Sequence, residues 1–186
     1  MQKLPTFTQE QILTVGDATA MAEELVSNAY KMSASQWLRN RYGVETLAGL
    51  TENEIVEGPF AQIIRYKVKR TESSLESASY DFYKICLQDH SILKTLKPRP
   101  ELRLFPFALY VLCHELIHIV RFAKFLQAYE ASPEERMQEE NRVHQKTREL
   151  LNTVRVPGME KLFDFYKAWH TPVETSTVLD PHDIWD

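Results

Sequence analysis

Cysteine and glycine are scarce in this chain, whose 186 residues include two cysteines and five glycines. Cys86 and Cys113 are too few for a disulfide framework, and their spacing is not that of a metal-binding pair. Cys113 lies in an apolar segment, where a free cysteine usually acts as a small core residue. The cysteines therefore predict neither a disulfide-stabilised fold nor a thiolate metal site.

Positive charge is not in excess either, since the formal net charge is −4 and no basic stripe runs along the chain. Nucleic-acid binding depends on such a stripe, so we expect no nucleic-acid partner. Residues 1–5 contain no apolar leader. The apolar run at 104–120 contains ionisable side chains, which disfavours a membrane span. We therefore expect a cytoplasmic protein without a membrane segment.

The chain does contain enough apolar sequence for a core, 44% of its residues. A chain of this length suits one domain. We place that domain at residues 1–170 and interpret residues 171–186, whose pattern has little regularity, as an extended C-terminal tail. Neither composition nor pattern indicates an oligomeric state.

The N-terminal part has the pattern of helices. Apolar residues at helical spacing predict a helix over residues 17–42, ended by Gly43. Ser33 or Ser35 offers a start for a separate second helix. Residues 51–54 have the form of a capping box and predict a short helical turn, which a Gly-Pro pair ends.

The pattern then changes to strict alternation. Residues 64–69 and 83–88 alternate apolar and polar side chains, which predicts two half-buried strands. We expect them to pair across a loop at 71–79 and to form a small antiparallel sheet. His90 follows the second strand, and we interpret it as a turn or cap residue rather than a metal ligand.

Three more helices are predicted in the rest of the chain. The first covers residues 104–130, with Pro106 in its first turn. Ser132 is the N-cap of the second, which covers 133–154. Residues 159–169 form a last amphipathic helix. Helices that precede and follow a small antiparallel sheet in the sequence predict the α+β class.

The most informative motif lies in the first of these three helices. His114, Glu115 and His118 form H-E-x-x-H within an otherwise apolar segment. A helix turns by about 100° per residue, so two histidines four positions apart share a face and can bind one metal ion. Glu115 can reach a water at that metal. Because buried ionisable groups need a partner, we predict a Zn²⁺ site. Hydrogen bonds within a core are the alternative.

The next helix offers the third ligand. Its apolar positions define a buried arc: Met137, Val143, Leu150, Leu151 and Val154. Glu140 and His144 fall inside this arc, and Glu139 falls near its edge. We predict Glu140 as the third metal ligand and His144 as a catalytic neighbour. Exchanged roles for these two residues are one alternative, and a salt bridge from Glu140 to Arg136 is another.

These residues resemble the zincin metallopeptidases, and among them the gluzincin type, with H-E-x-x-H on one helix and a glutamate ligand on a later one. Residues 111–120 fit the extended zincin pattern. Glu140 and His144 are similar to the gluzincin E-x-x-x-D, with His in the Asp place. Residues 139–151 are faintly similar to the ligand helix of the ImmA/IrrE type of regulatory metallopeptidase. The resemblance covers residues 104–151, and the metzincin extension is absent.

The resemblance implies a zincin-like fold and zinc-dependent hydrolysis of a peptide or protein substrate. Glu115 would then be the general base. An edge strand at 80–88 would hold the extended substrate by main-chain pairing. His144, Tyr166 and His170 are candidate donors to the developing oxyanion.

Two other functions are compatible with the sequence. A zinc-binding regulatory or interaction protein without turnover would need the same ligands, and a tail containing Trp185 would suit docking to a partner. A di-iron carboxylate protein would use the Glu-x-x-His at 115–118, but that architecture needs a second such motif, which the sequence does not have.

Overall fold

The computed structural model describes residues 4–33, 35–36, 41–69, 79–128 and 130–168. Within these ranges the chain forms five α-helices and one three-stranded mixed sheet, which confirms the α+β class. The elements are α1 (Gln9–Tyr30), β1 (Tyr42–Glu45), β2 (Ala61–Lys69), β3 (Ser79–Leu87), α2 (Asp89–Leu96), α3 (Leu104–Ala123), α4 (Pro133–Leu151) and α5 (Met159–Ala168). Two 3-10 turns, Leu47–Gly49 and Glu52–Glu54, lie between β1 and β2.

Helix α1 differs from the helix predicted at 17–42. It starts eight residues earlier because Thr8 and Gln11 form a reciprocal capping box. It ends at Tyr30, where Lys31 takes a left-handed conformation with φ 52°. Gly43 lies inside β1 and ends no helix. A second helix from Ser33 or Ser35 would run into residues 37–40, which lie outside the described residues.

The sheet has the order β1-β3-β2. Strands β2 and β3 pair antiparallel, as predicted, with Ile63 opposite Ile85. Strand β1 pairs parallel with β3, so the prediction of an antiparallel sheet is wrong for this strand. Because β3 lies between the other two, the prediction that 80–88 is an edge strand is also wrong. Residues 83–86 of β3 are paired on both sides, so an extended peptide cannot be added along that segment.

The two faces of the hairpin have different neighbours. Ile63, Ile85 and Leu87 belong to the hydrophobic core that α1 and α3 complete. The opposite face carries Gln62 and Lys84, which bond to Glu54 of the second 3-10 turn. The predicted capping box of that turn, from Thr51 to Glu54, is confirmed. The predicted loop at 71–79 lies almost entirely outside the described residues.

Helix α3 lies at the centre of the protein. All residues from Pro106 to Phe122 are buried, and α1 packs along its length. It is long and apolar enough for a membrane span, but 89% of the relevant window is buried inside the protein, as in a core helix. It ends at Ala123 rather than at residue 130. Phe125 adopts a left-handed conformation, φ 54°, which an α-helix does not accommodate.

Helix α4 begins where the sequence predicts. Ser132 and Glu135 form a reciprocal capping box, with Pro133 in the first turn. The helix ends at Leu151, three residues earlier than predicted. Helix α5 confirms the last amphipathic helix up to Ala168. Residues 169–186, which include the predicted tail at 171–186, lie outside the described residues.

Candidate metal centre

The two histidines of the motif lie on one face of α3 and are almost completely buried. His114 is 2% exposed and His118 is 1% exposed. Their Nε2 atoms are 3.1 Å apart. The spacing of four residues therefore brings both ring nitrogens to one point, as the sequence predicts.

Helix α4 brings Glu140 to the same point. One carboxylate oxygen, Oε2, lies 3.1 Å from Nε2 of His114, and the other, Oε1, lies 3.0 Å from Nε2 of His118. We call His114, His118 and Glu140 the ligand group. Their potential ligand atoms all lie within 4.8 Å of one another, and the group could hold a metal ion.

Protons alone do not satisfy these three contacts. An imidazole Nε2 carries either one proton or one lone pair. If both histidines carry a proton there, both can donate to Glu140, but the contact between the two nitrogens then has no acceptor. If only one carries a proton, the other nitrogen directs a lone pair at a carboxylate oxygen. A cation between the three residues would satisfy all three contacts at once.

The distances also fit a tetrahedral metal. Ligand atoms that bind zinc at about 2.0–2.1 Å in a tetrahedron lie about 3.3 Å from one another. The two Nε2 atoms are 3.1 Å apart, close to that separation. Two imidazole nitrogens and one carboxylate are also a known catalytic zinc ligand set. The residues present therefore fit a zinc ion without a rearrangement of the helices.

Electrostatics bind the ligand group together even without a metal. Burial raises the pKa of Glu140, but His118 and His114 outweigh burial and hold that pKa far below its usual range. Burial lowers the pKa of His118, but the charge of Glu140 outweighs it, so the net shift is upward. Glu140 is thus a carboxylate, the form that binds a metal.

Glu115 is next to His114 on α3 and is 5% exposed. Burial raises its pKa, His114 and His118 oppose that rise, and Glu140 adds to it. Its charge therefore interacts with the whole ligand group. A buried carboxyl with a raised pKa beside such a group can both accept and release a proton.

His144 lies beside the ligand group and does not belong to it. Its Nδ1 is 2.9 Å from the Tyr110 hydroxyl, and its ring centre is 4.3 Å from that of His114. Burial and the charges of His114 and His118 outweigh the opposing charge of Glu140 and lower the pKa of His144 to about 3, so its ring is neutral. The exchanged assignment, with His144 as ligand, has less support, because the residues whose ligand atoms converge are His114, His118 and Glu140.

The other acidic candidate, Glu139, is used elsewhere. It forms a buried ion pair with Arg121 of α3 and a second pair with Arg142, at 2.6 Å. Arg136 donates to the carbonyl of Ala131, whereas Glu140 faces the histidines. The structure thus gives no support to the predicted alternative in which Arg136 pairs with Glu140.

One end of the predicted buried arc of α4 is wrong. Met137 is 50% exposed, while Glu139 is 6% exposed. The buried side is centred on Val143, Thr147 and Leu151. The arc is rotated because the ion pair with Arg121 draws Glu139 inward, and helical periodicity does not reveal a pair between two helices.

Sequence reasoning missed three residues around the site: Tyr110, Arg121 and Gln127. Tyr110 is four residues before His114, and Arg121 is three residues after His118, so helical spacing could have placed both on the motif face. Gln127, whose Oε1 is 3.0 Å from Nδ1 of His118, follows the helix end, and no periodic signal marks it.

The remaining predicted site residues lie as follows. Tyr166 stacks on Tyr110, with ring centres 4.1 Å apart, and its ring is 5.8 Å from that of His144. His170 lies outside the described residues. His90 lies in the first turn of α2, 3.6 Å from Glu57, and belongs to no metal-ligand group in the described part of the chain.

Both cysteines are buried, and burial raises the pKa of each thiol to about 12. Neither is a thiolate at neutral pH, which agrees with the interpretation of Cys113 as a small core residue.

Comparison of the chain with protein-family models, with curated proteins and with solved structures found no match. The resemblance to zincins therefore depends on the motif residues alone, and the chemistry of the site is what indicates a function.

Proposed function

We propose that His114, His118 and Glu140 bind a zinc ion and that the protein uses it to hydrolyse peptide bonds, with Glu115 as general base. One observation carries this proposal: three metal-binding side chains from two helices converge in a buried position where protons cannot satisfy all their contacts. A zincin-like arrangement of the fold is part of the same proposal.

The donor set favours zinc. Two imidazoles and one carboxylate suit a borderline metal rather than calcium or magnesium, which prefer oxygen ligands. Three protein ligands leave a fourth position open, as in catalytic sites. When bound, zinc acidifies water and polarises a carbonyl oxygen.

Glu115 is suited to the proton transfers. It lies about 100° round the helix from His114, so its carboxyl is beside the ligand group rather than in it. We propose that it accepts a proton from the attacking water and delivers it to the nitrogen of the leaving amine. The raised pKa of Glu115 supports the first step, because a carboxylate with a higher pKa is a stronger base.

His144 is the best candidate for an additional catalytic contact. Its neutral ring has one N–H, and if the Tyr110 hydroxyl donates to Nδ1, that proton is on Nε2. We propose that His144 donates from Nε2 to the oxygen on which negative charge develops. Tyr110 would then select the tautomer that makes this donation possible.

Elemental analysis and zinc titration of the purified protein test the metal site. We expect one zinc per chain, and we expect Glu140→Ala and His114→Ala to lose tight binding. His90→Ala is the matched control, because His90 is also buried but lies outside the ligand group. A protein that remains metal-free after incubation with zinc would overturn the proposal, as would a Glu140→Ala variant that binds zinc as tightly as the parent.

A peptidase assay with a chelator control tests the reaction. We expect Glu115→Gln to keep its zinc and to lose about 10²- to 10⁴-fold in rate, the contribution of a general base. The matched control is Glu54→Gln, which alters a buried glutamate outside the site. If Glu115→Gln retained the activity of the parent, Glu115 could not be the base.

The enclosure of the site favours a second candidate, a zinc-holding protein without turnover. Glu115 and the ligand group are each at most 9% exposed. Two cavities of about 600 and 730 Å³ adjoin α5, and none of the four residues lines either. In this case zinc would bind with the same ligands, but the parent would cleave no peptide. Glu115→Gln would then match the parent in both zinc binding and lack of activity.

A further inference from the structure

A side chain in the loop after α3 contacts a member of the ligand group. The Oε1 atom of Gln127 lies 3.0 Å from Nδ1 of His118. An amide oxygen only accepts hydrogen bonds, so the proton of this contact is on Nδ1. In a neutral imidazole the other nitrogen, Nε2, then has the lone pair, and this is the nitrogen that faces His114 and Glu140.

The backbone holds Gln127 in place. Phe125, with φ 54°, turns the chain back toward α3. The N–H of Leu126 donates to the carbonyl of Arg121 at 2.9 Å, and the Arg121 guanidinium donates to the carbonyl of Leu126 at 3.4 Å. Both backbone groups of Leu126 are thus bonded to Arg121 of α3, and the next side chain, Gln127, lies beside His118.

Arg121 also connects this loop to α4, the helix that supplies Glu140. The same guanidinium pairs with Glu139, which directly precedes Glu140. Arg121 is 6% exposed and Glu139 is 6% exposed, so the ion pair is shielded from water. One buried arginine therefore holds both the loop that contacts His118 and the helix that supplies Glu140.

We infer that Gln127 is a positioning residue that fixes the tautomer and ring orientation of His118 for metal binding. The inference depends on the proposed metal site. A histidine ligand generally donates its other ring N–H to a polar group, and removing that group weakens metal binding by about 10- to 100-fold. Glutamine is a neutral partner, and it leaves the ligand group with Glu140 as its only carboxylate.

The test is a zinc affinity measurement by chelator competition on the full chain, together with the unfolding midpoint of the metal-free protein. Gln127→Met keeps the length of the side chain but removes the acceptor, and we expect zinc binding about 10- to 100-fold weaker. Gln127→Asn keeps the amide but is one methylene shorter, and we expect a similar loss. Gln127→Glu restores an acceptor and should bind zinc at least as tightly as the parent. Gln138→Met is the matched control on an exposed glutamine of α4.

The outcomes separate this inference from the proposed function. A parent that binds zinc while Gln127→Met binds it equally well overturns the positioning role but not the metal site. A Gln127→Glu variant that binds zinc as weakly as Gln127→Met also overturns it. The positioning role requires that a restored acceptor restores binding, whereas a purely structural role does not. A parent that binds no zinc overturns both. Losses in affinity with an unchanged metal-free midpoint, and recovery in Gln127→Glu, support the inference.

Discussion

Two buried glutamates, Glu54 and Glu140, are held in opposite ways. Glu54 lies behind the sheet, and donors from the chain occupy both of its oxygens. Oε1 accepts from Lys84 and from the Tyr66 hydroxyl, both at 2.7 Å. Oε2 accepts from Lys84 and from the Thr51 N–H, both at 2.8 Å. We call Glu54, Lys84, Tyr66 and Thr51 the Glu54 cluster.

The Glu54 cluster contains its own cation. Burial raises the pKa of Glu54, but the hydrogen bonds from Lys84, Thr51 and Tyr66 outweigh burial and lower the pKa overall. The carboxylate is therefore fully compensated by protein groups, and the cluster has no need of a ligand.

In the described part of the chain, the side-chain contacts of Glu140 lead only to imidazoles. Two histidines approach it, and Nδ1 of one of them, His118, contacts Gln127 on its other side. The nearest buried cation on α3, Arg121, is paired with Glu139 instead. Glu54 is thus compensated by a lysine of the chain, whereas Glu140, which faces two ring nitrogens, suits a cation from outside.

Zinc-dependent stability is the property in which the two sites should differ most. A metal that binds only the folded chain stabilises it by about 4 kcal/mol at a free concentration 1,000 times the dissociation constant. We expect His118→Ala to lose this increment and Lys84→Met, in the Glu54 cluster, to keep it. Urea unfolding with and without zinc measures both. If His118→Ala gained as much stability from zinc as the parent, the metal would be bound elsewhere.

The next effect is the loss of the cation from the Glu54 cluster. Lys84→Met leaves Glu54 buried without an opposite charge, and we expect the free energy of unfolding to fall by about 3 kcal/mol, with or without zinc. Lys94→Met, on an exposed lysine of α2, is the control and should change it by less than about 0.5 kcal/mol. A loss near that of the control would show that Tyr66 and Thr51 compensate Glu54 without the lysine.

A smaller effect is expected from Glu54→Gln, which keeps some hydrogen bonds, and it should depend on pH. A carboxyl with a lowered pKa in the folded chain stabilises it above the ordinary glutamate pKa, about 4.3, and loses that contribution as the pH falls through the lowered pKa. The stability difference between parent and Glu54→Gln should therefore be largest above about pH 5 and shrink in more acidic solution. Urea unfolding from pH 3 to 7 measures it, and a difference that grows toward acid would contradict the assigned sign.

The ligand group could be predicted from sequence because each part of it is local. His114 and His118 lie four apart on one helix, and Glu140 lies on the buried side of the next. Helical periodicity reports which face is buried, and an acid on such a face indicates a partner.

The sheet order and the contacts around the ligands could not be predicted, because they depend on pairing between distant segments. Strand β1 has four residues, including Gly43, and no alternation in burial that would mark it. Its parallel pairing with β3 moves the predicted edge strand to the centre. The pair of Arg121 with Glu139 and the contact of Gln127 with His118 each join separate elements, and periodicity contains no information on them.

The smallest expected effect separates helix capping from ligand positioning. Ser132 caps α4, and Ser132→Ala should lower the free energy of unfolding by about 1 kcal/mol. Zinc affinity should stay within about twofold of the parent, because the ion pair of Glu139 with Arg121 holds Glu140 two turns away from the cap. Thr8→Ala removes the same kind of cap from α1, which carries no ligand, and serves as the control. A tenfold loss of zinc affinity in Ser132→Ala alone would mean that the first turn of α4, rather than the ion pair, sets the position of Glu140. The ligand group would then depend on local helix stability, as Glu54 depends on the turn that Thr51 caps.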